Sequence, residues 1–199
     1  MRFTTMICIP IIAPSAREAL HDSREAQRHA DILEFRLDGM GQQGLSLIRK
    51  STKPVIVTIR KTSEGGKKPF SDKRRFSIYR EAMLRGAAFI DVEFSSLPLF
   101  KALRQEKSRL GAATKFILSS HNFKKTDKKA IRALVEEMRG CGPDIVKIAA
   151  FANSVTDNIV MLELAKAASG KKIIPLCMWP LGQVSRILTP MFGGFLTYG

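Results

Sequence analysis

Eight short apolar, β-branched runs recur along this chain, and between them lie stretches whose apolar residues return every three or four positions. The runs are TMICIPII, DILEFRLD, PVIVTIR, AFIDVEF, KFILSSH, DIVKIAA, KIIPLCM and GGFLTYG, each of strand length. The intervening helical stretches include APSAREALHDSREAQRHA, KRRFSIYREAMLRGA, DKKAIRALVEEMRG and SVTDNIVMLELAKAASG. Gly86, Gly111, Gly140 and Gly170 stand at or beyond helix ends, where a glycine can take the left-handed cap. Strand then helix, repeated, permits either an open doubly wound sheet or a closed barrel. The first run leads into IIAPSAR, with no G-x-G-x-x-G and no P-loop, which removes the usual support for an open nucleotide-binding sheet. Eight strand candidates match an α/β chain of the (β/α)8 TIM-barrel type, at the short end of its length range. With 199 residues, no linker and no second composition regime, residues 1–199 are expected to form one domain.

Lys and Arg total 33 against 18 Asp and Glu, a formal charge of +15 that would attract polyanions and makes nucleic acid the first alternative partner. The basic residues fall in helical and loop stretches, such as Lys67, Lys68, Lys73, Arg74, Arg75 and Lys124, Lys125, Lys128, Lys129. These read as solvated surface. Two tyrosines and one tryptophan offer few platforms on which bases could stack, so no nucleic-acid partner is expected. The three cysteines, Cys8, Cys141 and Cys177, lack metal-knuckle or redox spacing and read as reduced, cytoplasmic thiols. Met1 to Ala16 superficially mimics a secretion signal, but Pro10 and Pro14 interrupt its short apolar run, which reads as the first strand. No apolar stretch approaches the length of a membrane span.

The informative residues are charges inside apolar strands, since a charge there loses hydration and needs a partner or a task. Glu34 and Arg36 share one strand face, as do Asp91 and Glu93. Arg60 ends PVIVTIR, His121 ends KFILSSH, and Lys147 lies in DIVKIAA. In a barrel these positions belong to the C-terminal strand ends, where active sites of that fold lie. Between Val146 and Ile148, the Lys147 ammonium would lose hydration, which favours the neutral, nucleophilic amine that attack on a ketone or aldehyde requires. A buried ion pair with Glu93 or Glu34 is the competing reading, and Lys147 alone does not choose between them. An imidazole such as that of His121 can take and return a proton near neutral pH. Glu64, in RKTSEGG, could orient or charge-balance it, or be a plain loop carboxylate. Arg186, in PLGQVSRIL, lies where a loop should lead into a helix, from which a guanidinium can grip a carboxylate with two bonds.

Taken together, ILEFRLD, VIVTIRKTSEGG, FIDVEF, ILSSHNF, DIVKIAA and PLGQVSR resemble the motif series of type I 3-dehydroquinate dehydratase, from the first strand to the final TYG. The resemblance implies a barrel, a shikimate-pathway dehydration of 3-dehydroquinate to 3-dehydroshikimate, no cofactor or metal, and a homodimer. Lys147 matches the family's Schiff-base lysine, His121 its general acid/base, and Glu64 the carboxylate partnered with that histidine. Glu34, Arg36 and Arg60 match residues that hold the substrate's hydroxyls and polar rim, and Arg186 matches the arginine that binds its carboxylate. Asp91 and Glu93 match charged positions of the fourth strand, while Ser119 and Met178 match pocket positions. Family members continue beyond the eighth strand into a lid loop with an Ala-Pro-Gly-Gln-like motif and a last helix. Because the sequence stops at Gly199, both are expected to be missing. A Schiff-base aldolase of a sugar phosphate and a basic nucleic-acid-binding protein are the alternatives. The first would need a phosphate cradle, for which SRILTP and GGFL are faint candidates, and the second rests on charge alone.

Overall fold

In the computed structural model, which describes residues 6–168 and 170–199, strands and helices alternate along the chain as the periodicity predicts. Its contacts fall into two compact units, Cys8–Phe116 and Ile117–Gly199 together with Met6 and Ile7.

In the first unit β1 (Ile7–Ile11), β2 (Ile32–Arg36), β3 (Val55–Thr58) and β4 (Phe89–Glu93) pair in chain order, all parallel. The helices are α1 (Ala16–Ala26), the single turn α2 (Leu37–Met40), α3 (Asp72–Leu84) and α4 (Leu97–Leu110). Helix α1 starts where Ser15 caps it: the Ser15 hydroxyl accepts from the Glu18 N–H at 3.2 Å and donates to the Glu18 carboxylate at 2.8 Å. Ser71 caps α3 in the same manner, accepting from Arg74 N–H at 3.3 Å. Register sets Arg36, Thr58 and Asp91 side by side, with Glu34 beside Ile56. One sheet face therefore carries Glu34, Arg36, Thr58, Asp91 and Glu93. The other carries Leu33, Phe35, Val55, Val57, Ile90 and Val92, none more than 3% exposed. Each such side chain contributes roughly 1.5–3 kcal/mol by leaving water.

In the second unit β5 (Lys115–Asn122), β6 (Ile145–Phe151) and β7 (Ile173–Met178) are parallel neighbours, with α5 (Lys128–Gly140) and α6 (Asp157–Lys166) between them in sequence. Helix α7 (Gln183–Leu188) and the two-residue β8 (Thr197–Tyr198) follow. Asp127 caps α5, accepting from Ala130 N–H at 3.0 Å. Strand β8 is tied to the rest of this unit by Thr197 N–H to the Met6 carbonyl at 2.9 Å, just after Phe195 N–H reaches the Ile173 carbonyl at 2.8 Å.

Several expectations need correction. The third run is ladder-paired only to Thr58; beyond it Ile59 N–H donates to the Tyr79 hydroxyl at 2.9 Å, and that hydroxyl donates to the Asp91 carbonyl at 2.9 Å. Arg60 thus follows the strand instead of ending it. In the eighth run Gly193 and Gly194 close a turn, their N–H groups reaching Pro190 and Thr189 carbonyls, so the strand shrinks to Thr197–Tyr198. Gly86, Gly111 and Gly170 have positive φ, but Gly140 is the last residue of α5 and Gly142 takes that conformation instead. Arg75 is no surface residue. It shares the buried helical face of Ile78, Tyr79 and Ala82 and is 1% exposed. Among the described residues no helix is long and apolar enough to cross a membrane.

Candidate active site

The polar face of the first unit is a connected set of buried charges. Arg60, 3% exposed, pairs with Asp91 at 2.8 Å and with Glu93 at 3.4 Å. Burial works against its charge, but Asp91 and Glu93 outweigh burial and raise the guanidinium pKa further. Glu93 also accepts from Lys61 N–H at 2.8 Å and from the Arg75 guanidinium, which in turn reaches the Ser96 hydroxyl at 2.8 Å. Arg36 grips Asp38 with two bonds, 2.9 and 3.0 Å, and Asp38 further accepts from the N–H groups of Arg60 at 3.2 Å and Lys67 at 3.0 Å. Burial would push the Asp38 carboxyl up; the Arg36 hydrogen bond and charge, helped by the Lys67 and Arg60 N–H donors, hold it below its usual value. For Arg36 burial is again the largest influence and again loses, to Asp38 and to the charge of Glu34. The Thr58 hydroxyl on this face is buried without a hydrogen-bond partner.

Glu64 sits in a turn that only glycine permits. Gly65 has φ +87°, and a Cβ on Gly66 would lie 2.0 Å from the Arg60 carbonyl oxygen, so Gly66 is required by close backbone approach. The half-buried Glu64 carboxylate accepts from Ser95 at 2.8 Å.

In the second unit, register pairs Ser119 with Lys147, His121 with Ala149, and Phe151 with Met178. Alternation therefore puts Ser119, His121, Lys147 and Met178 on one face, with His121 half-buried on the strand next to the lysine's and further toward the strand ends. Lys147 is 5% exposed, and its Nζ donates to the Tyr198 hydroxyl at 2.8 Å. The ammonium-to-ring distance is 4.2 Å.

Arg186 lies within α7, later than the loop-to-helix junction expected for it, and is half-buried. That helix is pinned from both sides of Ser185: its N–H donates to Asn158 Oδ1 at 2.9 Å, and its hydroxyl accepts from Cys177 N–H at 2.8 Å. Gly182 in PLGQVSR lets the turn close on β7, since a Cβ there would stand 2.6 Å from the Cys177 backbone carbon. Trp179, just after β7, holds φ +73°, a conformation that costs about 1–3 kcal/mol and clusters at functional sites.

The structure thus brings Arg36 and Arg60 together through the shared carboxylate of Asp38, with Asp91 and Glu93 alongside Arg60. It separately sets His121 on the same face as Lys147. Sequence reasoning overlooked Asp38, Arg75, Tyr79 and Tyr198. Arg75 had a signal, its helical spacing with Ile78, Tyr79 and Ala82, whereas the partners of Asp38 and Tyr198 had none. Among the described residues no three or more His, Cys, Asp and Glu side chains are grouped to hold a metal ion.

The model of the type I 3-dehydroquinase family matches residues 7–199. The 3-dehydroquinate dehydratase of Methanococcus maripaludis strain C6 is 36% identical over 195 residues, covering 97% of this chain and 88% of that protein. That of Methanocaldococcus jannaschii is 34% identical, over 97% of this chain and 87% of its own length. Among solved structures, the type I 3-dehydroquinate dehydratase of Clostridium difficile, crystallised with covalently modified comenic acid, superposes with a TM-score of 0.88 at 27% identity, covering 98% of this chain and 84% of that one. The Enterococcus faecalis 3-dehydroquinate dehydratase gives a TM-score of 0.84 at 29% identity, over 98% and 88% of the two chains. The fold class is accordingly α/β, the (β/α)8 barrel class.

Proposed function

Because this chain belongs to the type I 3-dehydroquinase family, we propose that it dehydrates 3-dehydroquinate to 3-dehydroshikimate through an imine on Lys147. The observation that carries the reading is a nearly solvent-free lysine, 5% exposed, on the sheet face that also bears the half-buried His121 of the neighbouring strand. The amine condenses with the ring ketone, and the protonated imine draws in the electron pair released when His121 removes the adjacent proton. His121 then delivers that proton to the departing hydroxyl, and hydrolysis of the imine frees the product. Glu64 is assigned to support His121, Arg186 to bind the substrate carboxylate, and Glu34, Arg36 and Arg60 to hold its hydroxyls and polar rim. These roles are carried over from the family motifs. The ion pairs of Arg36, part-buried, and of Arg60, buried, support them by fixing both guanidinium groups in one orientation. The reaction needs no added cofactor. Residues 1–199 act as one catalytic domain, in a cytoplasmic homodimer of the shikimate pathway.

Incubation with 3-dehydroquinate should raise ultraviolet absorbance as the conjugated enone forms. Borohydride should leave a mass adduct that peptide mapping assigns to Lys147. Folded protein that produces neither signal would overturn the reading.

A further inference from the structure

Tyr198 meets Lys147 in a manner that the roles above leave unused. The hydroxyl oxygen accepts from Nζ at 2.8 Å while the ring lies 4.2 Å from the same nitrogen, measured to its centroid. Both residues are buried, Lys147 at 5% and Tyr198 at 8% exposure. A phenyl ring would cover the lysine equally well, so the hydroxyl is the distinctive part. Its position is set by backbone, not by a loose tail: Thr197 N–H is bonded to Met6, the Thr197 hydroxyl to the Arg186 carbonyl, and Phe195 N–H to Ile173.

We propose that Tyr198 is a further catalytic residue, whose hydroxyl aims the Lys147 amine and relays a proton as the carbinolamine forms. The inference rests on Lys147 being the nucleophile. When the amine nitrogen bonds to the ketone carbon, the carbonyl π pair moves to oxygen, leaving an ammonium beside an alkoxide. Nζ passes one proton to the phenol oxygen while the phenol passes its own to the alkoxide. A neutral carbinolamine results, and the tyrosine ends as it began. A hydroxyl already within hydrogen-bond reach of Nζ needs little reorganisation for this.

The test is rapid-quench borohydride trapping with 3-dehydroquinate on the full chain, wild type against Tyr198→Phe, in light and heavy water. The phenylalanine keeps the ring over Nζ and removes only the hydroxyl. The expected result is an adduct on Lys147 in both proteins, formed about a hundred- to ten-thousandfold more slowly in the variant, as for loss of a proton-transferring group. A solvent isotope effect on trapping should be present in the wild type and lost in the variant, and Tyr198→His, which restores a hydrogen-bonding ring, should recover part of the rate. Variant trapping at the wild-type rate overturns the inference, as does a wild-type reaction without a solvent isotope effect, which is decisive even if the variants fail to fold. Absence of any wild-type adduct instead removes Lys147 as nucleophile, and this inference with it.

Discussion

Replacing Arg75 by methionine should destabilise the protein far more than its place in a basic run suggests. Arg75 is 1% exposed and donates to Asp72 at 3.0 Å, to Ser96 at 2.8 Å and to the fully buried Glu93. Methionine keeps most of the apolar stem but leaves Glu93 with only Arg60 and the Lys61 N–H among these partners. Stripping one partner from a buried ion pair costs roughly 3–5 kcal/mol. The Arg75 Nε is itself buried without a hydrogen-bond partner, and removing that donor offsets part of the loss, which places the expectation near the lower end, about 3 kcal/mol. At about 2.1 cal/mol/K of unfolding entropy per residue, a chain of 199 residues loses about 7 °C in Tm for that amount. The assay is urea unfolding with parallel thermal melts, for Arg75→Met, Glu93→Gln and the double variant. The double variant should lose less than the sum of the two singles, since the second substitution removes the carboxylate that the first leaves underpaired. A loss below about 1 kcal/mol with additive effects would refute the reasoning, because that is how an exposed ion pair behaves.

Asp38 makes stability depend on acid. Its folded pKa lies below the ordinary 3.8, so its contribution is fully present above that pH and is lost as pH falls through the lower, folded value. Asp38→Asn should therefore flatten the acid limb of a stability–pH profile and lower neutral-pH stability by about 1.5–3 kcal/mol, the worth of a charged hydrogen bond; an unchanged acid limb would refute this. The thiols should differ in reactivity. Burial pushes the Cys177 thiol up, with Thr126 only partly offsetting it, whereas Cys141 is partly exposed. Native protein near neutral pH should take a thiol reagent at Cys141 well before Cys177, read by mass spectrometry, and equal rates would count against the burial argument.

Much of this protein was determined by the sequence alone, because strand and helix are written locally. Alternation in ILEFRLD puts Glu34 and Arg36 on one face, and the S-x-x-E of Ser15 and Glu18 starts a helix, whatever lies elsewhere in the chain. The same holds for residue chemistry: a lysine inside DIVKIAA and a histidine ending KFILSSH announce buried polar work before any partner is known. Only the tertiary structure decided which groups meet. Asp38 receives the N–H groups of Arg60 and Lys67, 22 and 29 positions away, and Lys147 reaches Tyr198, 51 positions on. It also decided where β3 stops, since Tyr79 from α3 takes the Ile59 N–H, and that Arg75 turns inward while Arg74 beside it stays at the surface. The physical reason is that a buried charge or hydroxyl is stabilised by whatever partner the packed backbone presents within about 3 Å. That distance is set by strand register and helix placement, neither of which is a property of any short stretch of residues.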